Sequence, residues 1–410
     1  MISPLADAAF RHGYGRLVAL LVRRVGARHL EVIEDAVQSS LVAALESWPR
    51  AGVPDNPTAW LYRVAHHKLV GEVRRGARRG ELAAEHARGS TAEWTDDAPA
   101  SLSGDLGDDL LRMLFVCCDE ALPVESQLVL ALKTLCGFDV REIASRLSLT
   151  EANVYKRLGR ARARLRQAPD LAEAELTSAQ LRARLPAVRL VLYTLFTEGH
   201  HSPHPDGVIR RELCDEALRL AGVLARHPAG ATPETFALVA LMHLHAARIP
   251  ARLEGDGSVL LDEQDRALWD PREIGLGLTW LARSAEGDGF SRYHAEAGIA
   301  AEHCLAPSLA QTRWDRIVEG YEHLERVAPS ALHTVARAVA LAEWRGPERG
   351  LEVLLSPPPS LEGSYVLSAV LADLHRRAGH PDEARRHREQ ALARAPSAAI
   401  RAALERRLGR

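Results

Sequence analysis

The chain lacks any long uninterrupted apolar run, which excludes the roughly twenty consecutive apolar residues that a membrane-spanning helix needs. Its opening Met1-Ile-Ser-Pro-Leu-Ala-Asp7 has no basic stretch ahead of an apolar core. No secretory signal is expected, and the cytoplasm is the expected compartment. Cysteine is scarce as well: Cys117, Cys118, Cys136, Cys214 and Cys304 are odd in number and include no C-x-x-C pair. That argues against a disulfide framework and against a zinc cluster, and leaves buried reduced thiols as the expectation. Nor is there an excess of charge, since 52 Lys and Arg stand against 54 Asp and Glu.

What is present is a soluble composition, 47% apolar and 26% charged, over 410 residues. This length fits roughly two to four domains. The near-zero net charge conceals segregation, because Arg63, Lys68, Arg74, Arg75, Arg78 and Arg79 cluster in one stretch and a second set of arginines follows Asn153. Local basic patches are what a polyanion meets.

In chain order, Leu5, Phe10, Leu17, Leu20, Leu21 and Val25 recur at helical spacing up to Gly26. A second periodic run turns Ile33, Val37, Leu41, Ala44, Leu45 and Trp48 inward and places Glu34, Asp35 and Gln38 on its outer face. A proline-rich loop follows, and Pro57 suits the first turn of a third helix, Thr58 to about Arg79, with Trp60, Leu61, Val64, Leu69 and Val73 on one side. The other side is expected to present His66, His67, Lys68, Arg74 and Arg75. From Gly80 to about Leu106 the composition shifts to Ala, Gly, Ser, Glu and Asp, the signature of a mobile acidic linker. Leu110, Leu111, Leu114 and Phe115 then mark a helix, and Leu128, Val129, Leu132 and Leu135 mark another.

The stretch from Phe138 to Leu165 carries the sharpest pattern. Val140, Ile143, Ala144 and Leu147 share one face of a short helix, while Val154, Leu158, Ala161 and Leu165 share one face of the next. Thr150 is placed as its N-cap and Glu151 adds negative charge at the positive end of its dipole. Lys156, Arg157, Arg160, Arg162, Arg164 and Arg166 occupy the remaining faces. A helix-turn-helix entering a DNA groove has this form. Solvated arginine-rich faces on all-α proteins would show the same charge run.

Three segments in this order, Glu34-Asp-Ala-Val-Gln-Ser-Ser-Leu41, Asn56-Pro-Thr-Ala-Trp-Leu-Tyr-Arg-Val-Ala65 and Arg157-Leu-Gly-Arg-Ala-Arg-Ala-Arg-Leu165, closely resemble the extracytoplasmic-function sigma factors of bacterial RNA polymerase. The resemblance implies sigma domain two at 1–79, a linker at 80–105 and sigma domain four at 106–168. It assigns Glu34, Asp35 and Gln38 to core polymerase, through the β′ clamp helices, with the β flap as a second contact. It assigns Asn56, Trp60, Arg63, His66, His67, Lys68 and Arg74 to the minus-ten promoter element, although Trp60 shares a face with Leu61 and Val64 and reads more readily as core. Thr150, Glu151, Asn153, Lys156, Arg157 and Arg160 are assigned to the minus-thirty-five element, where Asn and Arg can bond base edges bidentately. His67 and Gly71 depart from the family's usual Asn and Asp, and Ser148 replaces a frequent turn glycine.

After Pro169 apolar stripes recur in Leu181–Phe196, Ile209–Leu224, Thr235–Ile249, Ile274–Ala285, Tyr293–Leu305, Trp314–Val327, Leu332–Trp344, Glu348–Leu355, Tyr365–Ala378 and Pro381–Ala395. Stacked antiparallel helix pairs are expected over 169–410. Ile317, Leu324 and Pro329 precede Ala384, Ala391 and Pro396 by 67 residues, close to two tetratricopeptide repeats of about 34 residues each. This half also resembles the C-terminal extension of a sigma-factor group with a tetratricopeptide-like tail, most distinctively in Leu260-Leu-Asp-Glu-Gln-Asp-Arg-Ala-Leu-Trp269. The group implies a regulatory tail and a YCII-like protein as candidate partner. Asp262, Gln264, Asp265, Arg266 and Trp269 are its motif residues, read either as a ligand site or as a buried polar network locking helix pairs.

The expected fold class is therefore all-α: two small helical sigma domains joined by a flexible linker, followed by a helical-hairpin domain. The leading function is an alternative sigma factor that directs core polymerase to promoters and is regulated by its tail. The alternative is a helical protein-binding adaptor that retains a sigma-like module. A metal-dependent hydrolase built on His200, His201, His204 and Asp206 is disfavoured, since that group lacks the i, i+4 spacing of zinc motifs. No catalytic residue, metal or cofactor is expected.

Overall fold

The computed structural model describes residues 4–78, 106–147, 149–167, 177–200, 209, 211–252, 259, 261–287, 289–355, 361, 363–396 and 398–409. Every regular element among them is helical, as expected from the periodicities. The expected linker at 80–105 and the turn residue Ser148 lie outside the described residues. Two compact units divide the chain, 1–195 and 196–410.

In the first unit, α1 (Pro4–Val25), α2 (Leu30–Ala51) and α3 (Pro57–Arg78) pack on one another. Leu17, Val18, Leu21, Ile33, Val37, Leu61 and Leu69 form their buried contact, in keeping with the spacing that predicted the helices. A second group consists of α4 (Leu106–Cys117), α5 (Val124–Thr134), α6 (Val140–Arg146) and α7 (Glu151–Gln167). It is joined to the first by α1, which packs against α4 and α5 as well as α2 and α3. Helix α8 (Ser178–His200) begins in this unit, where Arg184 is buried, donates to the Phe115 carbonyl at 3.0 Å and lies 3.8 Å from Asp119. Arg184 thus ties the start of α8 to the first compact unit, since a buried arginine needs a carboxylate and a carbonyl for its charge.

The second unit continues through α9 (Arg211–Arg226), α10 (Pro233–Ala246), the single turn α11 (Ile249–Arg252), α12 (Pro271–Ser284), α13 (Arg292–Leu305), α14 (Trp314–Val327), α15 (Ala331–Arg345), α16 (Pro347–Leu354), α17 (Tyr365–Arg377), α18 (Pro381–Ala393) and α19 (Ala398–Leu408). The predicted stripes fall on α8 to α18, the one from Thr235 to Ile249 running through α10 into α11. Only α19 has no counterpart among the stripes, since its buried contact comes down to Leu408 with Leu404 beside it. From α12 onward each helix packs on its sequence neighbour, the nearest-neighbour pattern of stacked helical hairpins. Helix α10 is apolar on all sides and is enclosed by α9, α12 and α13, with Phe236 through Met242 buried.

The tail motif forms a polar lock. Asp265 accepts from the Ala267 amide at 2.9 Å and starts a 3₁₀ turn, Arg266–Leu268. Arg266 donates to the carbonyls of His303 and Ala306 at 2.6 and 2.7 Å, satisfying orphan acceptors at the C-terminus of α13. Trp269 is buried with the Arg266 guanidinium 4.6 Å and the Arg248 guanidinium 5.4 Å from its ring centre. Gln264 donates to the Val259 carbonyl at 3.2 Å and accepts from Arg248 at 3.4 Å. Asp262 stands 3.7 Å from Arg407, and Asp270 caps α12. These contacts are those of a lock between elements, which is how the motif could be read without a ligand.

His303 sits beside this lock, edge-on to Trp314, and burial reinforced by Arg248 and Arg266 pushes its imidazole down to about 3. A histidine held neutral when folded contributes stability that is present above its unfolded value near 6.5 and is lost as pH falls toward the folded value. Below about pH 6.5 each pH unit should cost up to about 1.4 kcal/mol from this group, with His294, also lowered by burial, adding to the slope. We expect thermal melts of the full chain to show the transition of the second unit dropping between about pH 6.5 and 4. His303→Leu should flatten that dependence; an unchanged slope would contradict this placement.

Candidate nucleic-acid interface

Two caps set the geometry of the helix-turn-helix. Asp139 and Glu142 form a capping box at the start of α6, with bonds of 2.7 and 2.9 Å, and Thr150 accepts from the Asn153 amide at 3.3 Å at the start of α7. Ile143 and Ala144 of α6 and Val154, Leu158, Ala161 and Leu165 of α7 are buried against each other and against α5. Burying that stripe fixes which residues of α7 face outward. Glu151, Asn153, Lys156 and Arg160 are exposed and Arg157 is half-buried. Glu151 lies 3.7 Å from Arg141, but both side chains are exposed, so this pair holds little energy.

The basic run read from the sequence as one DNA-facing set is divided in the structure. Arg162 and Arg166, one turn apart, reach across to α2: Arg162 bonds Glu34 at 2.5 Å and Glu31 at 3.2 Å, and Arg166 bonds Glu31 at 2.7 Å. Arg164 lies 3.4 Å from the buried Asp119. Only the N-terminal half of the recognition helix keeps its cations available for a phosphate or a base edge.

Glu34 therefore corrects an expectation. Its periodic position placed it on the outer face of α2 with Asp35 and Gln38, and those two are exposed. Glu34 itself is only 2% exposed, set among Tyr14 of α1, Lys133 of α5 and Arg162 of α7. Burial raises its carboxyl pKa, while Arg162 and, at longer range, Lys133 pull the other way. Tyr14 is buried alongside, its phenol pushed up by desolvation and by Glu34.

Close approach of α1 to the end of α5 holds the two helical groups in this arrangement. Gly15 meets the Leu135 carbonyl so tightly that a Cβ there would collide with it. Tyr14 packs over Gly137, whose φ of +66° favours glycine. Arg23 of α1 bonds the buried Asp109 of α4 at 3.1 Å.

On α3, Asn56 caps the helix by accepting from the Ala59 amide at 3.0 Å. Trp60 is half-buried and meets Trp48 edge-on with ring centres 5.6 Å apart, consistent with a packing role. Arg63, His67 and Lys68 are exposed together. His66 is a second correction: expected on the basic side, it is 5% exposed and stacks on Tyr62 at 5.8 Å. The side chain of Arg74 lies outside the described residues. His200, the only described member of the suggested hydrolase group, is buried and engaged by Arg252, which donates to its carbonyl at 2.7 Å; His201, His204 and Asp206 lie outside the described residues.

Comparison with known proteins matches residues 10–79 to sigma-70 region 2 and residues 112–165 to sigma-70 region 4. Residues 184–285 match a family of unknown function (DUF6596). An uncharacterized protein of Rhizobium meliloti is 36% identical over 376 residues, covering 90% of this chain and 88% of the relative. Probable RNA polymerase sigma factor RfaY of Xanthomonas campestris pv. campestris is 30% identical over 40% of this chain and 42% of its own length. RNA polymerase sigma factor YlaC of Bacillus subtilis is 27% identical over 38% of this chain and 88% of its own.

Removing one partner of a buried ion pair strands the other, at about 3–5 kcal/mol. Arg162→Ala should therefore destabilise the first unit by that amount in urea unfolding, whereas Arg162→Ala combined with Glu34→Leu should recover most of it. A single substitution costing under about 1 kcal/mol would place Glu34 in water instead.

Proposed function

We propose that this chain, which belongs to one family with the uncharacterized Rhizobium meliloti protein and carries sigma-70 regions 2 and 4, is an alternative sigma factor of the extracytoplasmic-function group, working in the bacterial cytoplasm. In this reading α2 docks on the β′ clamp helices through Glu34, Asp35 and Gln38. The exposed Arg63, His67 and Lys68 of α3, with Asn56 and Arg74, hold the opened minus-ten strand by phosphate contacts. Helix α7 enters the major groove at the minus-thirty-five element, where Asn153, Lys156 and Arg157 meet base edges and Arg160 a phosphate. Regulation belongs to the tetratricopeptide-like tail, with a YCII-like protein as candidate partner.

The division of α7 is the main support for this reading. The residues assigned to minus-thirty-five recognition stand clear on α7, while Glu34, assigned to polymerase, is held by Arg162 of that same helix. In this reading Asp35 and Gln38 are open to polymerase from the start, and Glu34 becomes available when Arg162 of α7 lets it go. Closing and opening the two sigma regions is then the step on which regulation acts. The adaptor reading predicts no such exchange and no initiation.

Run-off transcription with purified core polymerase on genomic promoter fragments is expected to give initiation that depends on this chain. Lys156→Ala with Arg157→Ala should reduce it at least about tenfold and relax specificity at the minus-thirty-five element, whereas Arg160→Ala should lower the salt slope of promoter binding by about one. Initiation on no fragment would favour the adaptor.

A further inference from the structure

The last two hairpin helices bring together side chains that the promoter-reading function does not use. Helix α17 ends in a Schellman turn: Gly379 takes φ +77°, its amide bonds the Arg376 carbonyl, and the His380 amide returns to the His375 carbonyl at 2.9 Å. This turn folds His380 back over His375, so that their Nδ1 atoms face one another at 3.3 Å. Pro381 then starts α18 at once, and Glu383 and His387, four residues apart, fall on the face of α18 that packs on α17. His387 lies parallel to His375 with ring centres 5.5 Å apart. One ligand atom each from His375, Glu383 and His387 lies within 4.8 Å of the others.

We propose that His375, His380, Glu383 and His387 form a site for a divalent transition metal of the zinc class, pinning the end of α17 to α18. Three imidazoles and one carboxylate are a donor set for a tetrahedral ion. With bonds of about 2.0–2.1 Å such an ion sets its ligand atoms roughly 3.4 Å apart, the present spacing of the two facing Nδ1 atoms. The pairs among His375, Glu383 and His387, up to 4.8 Å apart, close by up to about 1.4 Å, and the exposed His380 turns in from beside His375 as the fourth ligand. Imidazole favours zinc, nickel and copper over magnesium and calcium. The competing group is Arg386, which pairs with Glu383 one turn back; a metal must displace that guanidinium, which is exposed and able to swing away. The ion would close the end of the α17–α18 hairpin as a clip beside its Ala-rich contact, Ala372 with Ala391.

The experiment uses the untagged full-length chain, stripped with chelator and dialysed against zinc chloride. One zinc per chain by elemental analysis is expected, with a cobalt-substituted form showing the intense visible bands of a tetrahedral ion, and no retention of magnesium. His375→Gln and His387→Gln, which suit a helix and keep the fold by circular dichroism, should each lower the affinity at least about tenfold. His201→Ala with His204→Ala, in the other histidine-rich stretch, should leave it unchanged. Substoichiometric zinc, octahedral cobalt spectra, or loss of the metal with the 201/204 variant in place of the 375 and 387 variants would each overturn the assignment.

Discussion

A carboxylate under a covering helix and one guanidinium that reaches it form the contact on which the first half of this molecule depends. Glu34 is shut off from water with Arg162 as its bonded partner. A buried pair of this kind does little net for stability compared with an apolar replacement, because desolvation consumes most of the attraction. Its value is discrimination. With α7 in place Glu34 has its cation; withdrawing α7 releases Arg162 and Arg166 and leaves Glu34 without its bonded partner. An open form in which core polymerase supplies that partner is the proposed alternative, and two such forms would meet the condition for a switch.

The same geometry explains why the recognition helix is divided along its length. Its buried stripe sets one face, and the acids of α2 and Asp119 claim the arginines of its last two turns. What remains, Asn153 to Arg160, is the part that a helix-turn-helix lays against base edges. Close packing by Gly15 against Leu135 leaves no slack between α1 and the second helical group, so separating the groups would break this contact as well as the Glu34–Arg162 pair.

Helix existence and type are legible in the sequence almost throughout, since 3.6-residue stripes such as Val154, Leu158, Ala161 and Leu165 declare their buried face through spacing alone. Thr150 as a cap is legible for the same local reason, and the sigma regions can be placed because three motifs occur in a fixed order. The errors share a cause. Glu34 and His66 lie on faces that are polar by periodicity; Glu34 is set among Tyr14, Lys133 and Arg162, distant in sequence and absent from the local pattern, whereas His66 stacks on Tyr62 one turn earlier on its own helix, a neighbour that the charge pattern obscured. The start of α8 joins the first unit through Arg184 and Asp119, which lie far apart in sequence and acquire meaning only as a pair. The tail motif is recognisable as distinctive, but the choice between lock and ligand site turns on the carbonyls of His303 and Ala306 standing beside Arg266. The histidines of α17 and α18 give no signal in the sequence because their approach depends on the left-handed turn at Gly379.

The most direct test of the closed resting form is a distance between α2 and α7 measured with and without core polymerase. Spin labels at Val42→Cys and Gly159→Cys, both exposed positions, in a chain with Cys304→Ser to remove the one half-exposed native thiol, report it by pulsed electron resonance. One narrow distance is predicted in the free chain, lengthening when core polymerase is added. A broad distribution in the free chain, or the same narrow distance in the complex, would contradict the closed form and its opening by polymerase.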